Sequence, residues 1–377
     1  MTAPTLSRRT VLLATGAAAL TLPVRWANAA TWKGYNDAIV IDGLGGPGSL
    51  TMQPGEKLGE SHLKDVRDSG LSAVLITLGP VGTTAPDAAF KDLVRGLVDV
   101  DRDVERHPDT FARIRTVADI TAAKKAKRTG LICGVQDGVA FETDLELLED
   151  LYQLGLRVVQ PTYNRRNLIG DGCMEPANAG LSRTGIETIE KLNSLGILVD
   201  LSHCGRQTSA DAIRASKKPV AFTHTGAAAV ADHPRHRTDE ELRAVAEKGG
   251  VSGVFFMPYL NGGKQPTAAD IIRHLDHMIN VAGEDHVSIG TDGTISPAVL
   301  DQKYKDAFAA NTRERKEKGI AAPGETEDGY LFASDLNTPR RFETLGQMLA
   351  DRGYSATRIE KILGRNLMRV FGDVWKS

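Results

Sequence analysis

Two histidines, His203 and His224, follow directly on two apolar runs, and one helix-length polar segment separates the runs. The stretch reads ILVDLSHCGRQTSADAIRASKKPVAFTH over 197–224. Runs this short, rich in Val, Ile and Phe and without strict alternation, predict strands buried on both faces, as in a parallel sheet. Successive parallel strands point the same way, so both imidazoles leave at one edge of the sheet and can approach one point. Imidazole is the commonest metal ligand, and the C-terminal edge of a barrel is where active sites are built. The competing interpretation is a pair of histidines satisfied within a core or a loop. Their occurrence in consecutive units argues against it.

These two strands belong to a longer series. Apolar runs recur at 38–41, 73–78, 131–135, 157–163, 197–202, 219–223, 251–257 and 286–290, eight in all. Between most of them lie segments of helical period. Leu145, Leu148 and Tyr152 share one face of 144–152, with Thr143 placed as N-cap, and Ile186, Ile189 and Leu192 share one face of 184–196. Thr238-Asp239-Glu240-Glu241 opens a helix with a capping box, and another helix is expected over 267–283. Such alternation argues for parallel βαβ units, and eight of them fit a closed (β/α)8 barrel of the TIM type better than an open sheet. A charged helix is expected over 87–107. Residues 301–336 read as a solvated excursion after strand eight, able to cap the barrel mouth. Residues 344–370 predict two helices packed on the barrel's outside. No linker separates a second domain, so residues 30–377 read as one barrel domain with a C-terminal helical extension.

Composition agrees with a globular α/β chain of 377 residues, 41% hydrophobic and 25% charged, enough to bury a large core. A formal charge of −2 leaves no electrostatic footprint for nucleic acid. Small molecules are the expected partners. The N-terminus carries a targeting pattern: Ser7-Arg8-Arg9-Thr10-Val11-Leu12-Leu13 sets a twin arginine ahead of an apolar stretch through Leu22, and Ala27-Asn28-Ala29 offers a small-residue cleavage site. Residues 1–29 are therefore expected to be a twin-arginine-type signal peptide. Its removal leaves a periplasmic or secreted chain with no membrane span, since the apolar stretch is too short to cross a bilayer comfortably. Three cysteines, Cys133, Cys173 and Cys204, cannot build a framework of paired disulfides and read as free thiols. Cys204 should leave its strand end on the face opposite His203.

The other strand ends supply further polar groups. Strand one ends Asp42-Gly43-Leu44-Gly45-Gly46, strand three Gln136-Asp137-Gly138, strand four Thr162-Tyr163-Asn164 and strand eight Thr291-Asp292-Gly293. At these residues the chain resembles the membrane (renal) dipeptidases, zinc metallopeptidases with an amidohydrolase-type barrel. The resemblance is clearest in Leu195-Gly196-Ile197-Leu198-Val199-Asp200-Leu201-Ser202-His203, in Phe222-Thr223-His224, in Asp232-His233-Pro234-Arg235, and in the tail Ile362-Leu363-Gly364-Arg365-Asn366-Leu367-Met368-Arg369-Val370. It covers most of the chain from strand one onward. The same resemblance exposes departures. In the family, strand one brings a histidine and an aspartate to one zinc, and Leu44 and Gly46 stand in those places. A glutamate that bridges two zincs is matched by Gln136, and a histidine at the end of strand four by Tyr163.

Leucine and glycine offer no donor atom, and glutamine carries no charge. What remains is His203 and His224 with a third oxygen from Gln136, Asp137 or Asp292, enough for one zinc ion, since catalytic zinc usually takes three protein ligands and a water. The resulting expectation is an exported metallohydrolase that cleaves a dipeptide or another small amide. In it Asp292 moves the proton, Tyr163 hydrogen-bonds the developing oxyanion, and Arg235, by resemblance, grips the substrate carboxylate. Two alternatives stand beside it: an isomerase or lyase using the same pocket, and a non-catalytic relative acting as a binding protein. The reading leaves room for a homodimer.

Overall fold

Val, Ile, Leu and Ala in unbroken runs become strands with no wet face, and helices then cover them outside. The computed structural model describes residues 32, 34–52, 56–83 and 85–376. The signal-peptide expectation lies outside those residues. Eight parallel strands follow one another around the sheet: β1 Ile41–Asp42, β2 Ala73–Thr77, β3 Thr129–Val135, β4 Leu156–Val159, β5 Leu198–Asp200, β6 Val220–Ala227, β7 Val251–Val254 and β8 Val287–Ile289. Each pairs with the next in sequence, from Ile41 beside Ala73 through Ser252 beside Val287. The ring then shuts. Gly43 N–H donates to Ile289 O at 2.9 Å, and beyond it Gly45–Gly46 pairs in parallel with Gly293–Thr294.

Helices α1 Glu60–Ser69, α2 Pro86–Arg106, α3 Val117–Lys125, α4 Leu147–Gln153, α5 Arg183–Leu195, α6 Arg206–Ala215, α7 Asp239–Glu247 and α8 Ala268–Ala282 lie between the strands. After β8 come α9 Gln302–Glu317, α10 Arg341–Asp351, α11 Ala356–Glu360 and α12 Asn366–Val374. One apolar cluster joins Ile41, Leu75, Ile132, Val158 and Leu198 to Leu367 and Phe371 of α12, so the tail helix seals barrel residues rather than lying loosely outside. Asn366 holds it there by donating to the carbonyls of Glu284 and Val287, both at 2.8 Å. The capping box expected at Thr238 is present, with Thr238 Oγ1 accepting from Glu241 N–H and the Glu241 carboxylate accepting in return.

Two boundaries differ from the sequence pattern. Strand four was expected over 157–163 and stops at Val159, because Pro161 has no N–H to give the ladder and turns the chain out of the sheet. Helix α4 begins at Leu147 rather than near Thr143: Asp144 folds a turn of its own, its carboxylate accepting from Glu146 N–H at 3.0 Å. No described helix is long and apolar enough to cross a membrane.

The closing seam has a single polar rivet. The Asp42 carboxylate accepts from Thr291 N–H at 2.8 Å, Thr291 Oγ1 at 2.7 Å and Leu44 N–H at 3.2 Å, all buried. An Asp42→Ala change strands these donors, and leaving a buried donor without its partner costs roughly 1–3 kcal/mol. The expected loss is about 3 kcal/mol or more, read as a lower urea midpoint. An unchanged midpoint would show that the seam holds without it.

Candidate active site

The C-terminal ends of β4, β5, β6 and β8 converge with the loops behind them. His203 leaves the turn after β5, and His224 sits within β6. Their ring centres are 5.1 Å apart, tilted by 56°. Both residues are buried.

Each ring is held by its Nδ1. His203 Nδ1 lies 2.7 Å from Asn164 Oδ1, and Asn164 Nδ2 donates to Ile320 O at 2.7 Å, which fixes the amide so that its oxygen faces the ring. The ring therefore donates from Nδ1. His224 Nδ1 lies 2.8 Å from Thr223 Oγ1. That hydroxyl gives its own proton to Asp200 Oδ2 at 2.6 Å, so its oxygen accepts from the imidazole. Asp200 is in turn held by Ser202 Oγ and by the backbone N–H groups of Ser202 and Thr223. Both Nε2 atoms are thus left as bare lone pairs, buried and without a hydrogen-bond partner. Burial, and after it the Arg235 guanidinium, pushes both imidazoles well below their ordinary pKa, so they stay neutral. Neutral rings oriented through Nδ1, with Nε2 free, are the form in which histidine binds a metal.

These two imidazoles fit a metal. Among the described residues no group of three or more His, Cys, Asp or Glu side chains gathers around one point. Asp137, one candidate for a third oxygen, is held by three other donors: it accepts from Gly82 N–H at 2.9 Å, Val139 N–H at 3.4 Å and the side-chain Asn167 Nδ2 at 3.1 Å. Gln136 lines a neighbouring cavity of about 410 Å³ together with Leu44, Gly46 and Asp292, and its side chain has no hydrogen bond to described residues. Cys204 Sγ is directed to Thr162 Oγ1, away from the site. All three cysteines are free.

Around the histidines stand the remaining expected residues. Tyr163 stacks on His203 with ring centres 4.0 Å apart. Arg235, Tyr163 and Asp292 line one cavity of about 120 Å³. Arg235 is 3% exposed, and its guanidinium makes only long hydrogen bonds of 3.4 Å to the carbonyls of Ser202 and His224 and has no acidic ion-pair partner among the described residues. A buried, unpaired guanidinium beside a cavity is a ready carboxylate site. Asp292 has φ +55°, a left-handed conformation that a side chain seldom adopts, and is fixed by its N–H to Leu44 O at 2.8 Å. Burial raises its pKa to about 6, against the pull of Arg235 and Arg315.

Sequence reasoning missed four residues. Arg315 of α9 donates to Tyr163 Oη at 3.1 Å and forms a two-pronged ion pair with Glu325, both contacts 2.8 Å. Tyr259 donates to the same glutamate at 2.9 Å. The 301–336 excursion, read as a solvated segment able to cap the mouth, covers it with this inward face. A signal was present: Tyr304, Phe308, Thr312 and Arg315 recur at helical spacing, and the first three are buried. Arg237 was passed over as well. It is fully buried and donates to the carbonyls of Leu201, Ser202 and Cys204, bracing the turn that carries His203.

The family description "Membrane dipeptidase (Peptidase family M19)" matches residues 38–309, the barrel and the start of its cap. The chain belongs to this family. A solved structure of the same family is described as a metallo peptidase. A relative, dipeptidase verJ of Clonostachys rogersoniana, is 28% identical over 274 residues, 72% of this chain, and the match spans 62% of that relative's length. An uncharacterized protein in the pqqA 5′ region of Klebsiella pneumoniae is also 28% identical, over 70% of this chain and 88% of its own. Among solved structures, an amidohydrolase from Pseudomonas aeruginosa superposes with a TM-score of 0.77 at 32% identity, covering 90% of this chain and 98% of its own. A metallo peptidase from Rhodobacter sphaeroides, solved with a phosphinate mimic of L-Ala-D-Ala, shares the membrane dipeptidase fold at 20% identity with a TM-score of 0.72, over 90% of this chain and its own full length.

Proposed function

We propose that this chain is an exported hydrolase of small amides bearing a free carboxylate, working with one zinc ion on His203 and His224. The observation that carries the reading is the pair of buried, unpartnered Nε2 atoms, since burying a polar atom without a partner is costly unless something binds it. A bound zinc ion supplies a Lewis acid toward the amide carbonyl. Arg235 holds the substrate's carboxylate and so fixes the scissile bond between the two cavities. Asp292 takes the proton of the attacking water and delivers it to the leaving amine. Tyr163, whose oxygen accepts from Arg315, keeps its own proton to donate to the carbonyl oxygen as charge develops there, a contact of the kind worth roughly 2.7–4 kcal/mol. Export follows from the twin-arginine pattern at Arg8 and Arg9 and places the mature chain in the periplasm or medium. A dipeptide substrate is consistent with the phosphinate dipeptide mimic carried by the Rhodobacter relative.

That no third acidic or imidazole donor joins the pair among the described residues favours one competing reading, a non-catalytic binding protein. A pH series separates the two. Asp292 must lose its proton to act as base, so zinc-dependent hydrolysis should rise as pH climbs through about 6 and level off above it. Asp292→Asn should remove that limb along with most of the rate. Hydrolysis that is absent at every pH with zinc supplied, or that ignores chelators, ends the proposal.

A further inference from the structure

The larger cavity, which shares Asp292 with the smaller one, has its own character. Leu44, Leu50, Ile76, Tyr304 and Leu331 give the cavity of about 410 Å³ an apolar lining, and its size falls among small-ligand sites, roughly 300–1,000 Å³. A Cβ added at Gly46 would meet nothing within 4 Å, so the cavity is open where the family's carboxylate is missing. The polar lining from Thr77, Gln136 and Thr294 is neutral. Asp292 is the one charged group among the lining residues, and together with Leu331 it also lines the smaller cavity that holds Arg235. An ammonium placed in the larger cavity would find no carboxylate of its own, since Asp292 is committed to proton transfer. Such a charge in an apolar site is strongly disfavoured.

We propose that this cavity seats an uncharged apolar acyl group, which makes the preferred substrate an N-acylated amino acid in place of a dipeptide with a free α-ammonium. The assignment rests on the amide-hydrolase reading above. An amide spanning the two cavities puts its carboxylate on Arg235, its acyl chain against Leu44 and Ile76, and its scissile bond at Asp292.

Titration calorimetry on the full mature chain, stripped of metal with a chelator, reads binding without turnover, and cleavage is then assayed separately with zinc restored. The probes are acetyl-, butanoyl-, hexanoyl- and octanoyl-alanine in both enantiomers, and the isosteric pair isocaproyl-alanine and leucyl-alanine, which differ only by the ammonium. The expected result is that isocaproyl-alanine binds at least about tenfold more tightly than leucyl-alanine. Affinity should also grow roughly threefold to fourfold per methylene along the series, equivalent to about 0.8 kcal/mol each. Gly46→Phe, or Leu50→Trp should that variant not fold, fills the cavity and flattens the chain-length dependence. Equal or tighter binding of leucyl-alanine, or affinity indifferent to chain length, overturns the assignment. So does a chain-length dependence that survives in a folded filled variant. A protein that binds as expected yet cleaves none of the probes would overturn the hydrolase reading and keep the acyl site. One that cleaves leucyl-alanine while preferring no acyl probe would do the reverse.

Discussion

Purified mature protein grown with zinc should hold about one zinc per chain, and His203→Ala should hold essentially none, with hydrolysis falling to background. The effect is large because the site has so little to lose. In the proposed site two imidazoles carry the affinity, and each is oriented by a dedicated acceptor, Asn164 for His203 and the Thr223–Asp200 pair for His224. Elemental analysis and a chelator titration make the check. Zinc-free wild type, or unchanged zinc in His203→Ala, refutes the assignment. The same measurement reads the departures from the family. Leu44→His, Gly46→Asp and Gln136→Glu together should raise the content toward two, and the open space at Gly46 lets the new side chain in without a clash.

Loss of the guanidinium at position 235 comes next in size. Arg235→Met keeps an unbranched apolar side chain and removes the guanidinium, which lines the cavity and lies 5.6 Å from the centre of the Phe255 ring. Truncating one partner of a buried, hydrogen-bonded charge pair costs about 2–5 kcal/mol, so kcat/KM for carboxylate-bearing amides should fall at least about thirtyfold. The same substrate with its carboxylate amidated should be cleaved slowly by wild type and no more slowly by the variant. Equal losses on both substrates would mean that Arg235 serves packing instead of recognition.

The barrel was legible because strands buried on both faces leave apolar runs such as 73–76 and 220–222. The histidine pair was legible for a topological reason, since parallel strands deliver their ends to one edge. What orients those rings was not. Asn164 stands 39 residues from His203 in sequence, and Arg315 stands 152 from Tyr163, so neither contact leaves a local pattern. The cap was obscured by composition, because one charged helix shows solvent its Lys and Glu side chains while turning Tyr304, Phe308 and Arg315 inward. Strand four ran short for the opposite reason: an apolar run continued past the point where Pro161 stopped the ladder.

The seam between the first and last staves carries a cost during biosynthesis. Asp42 waits for Thr291, 249 residues downstream, so β1 keeps one edge unpaired until most of the chain has been made. Contacts of such long sequence separation form slowly, and an open strand edge invites association with other chains in the meantime. Nascent molecules of this protein should therefore depend on chaperones most in the interval before Thr291 emerges, and a circular permutant opened elsewhere in the ring would move that vulnerable edge to a different stave.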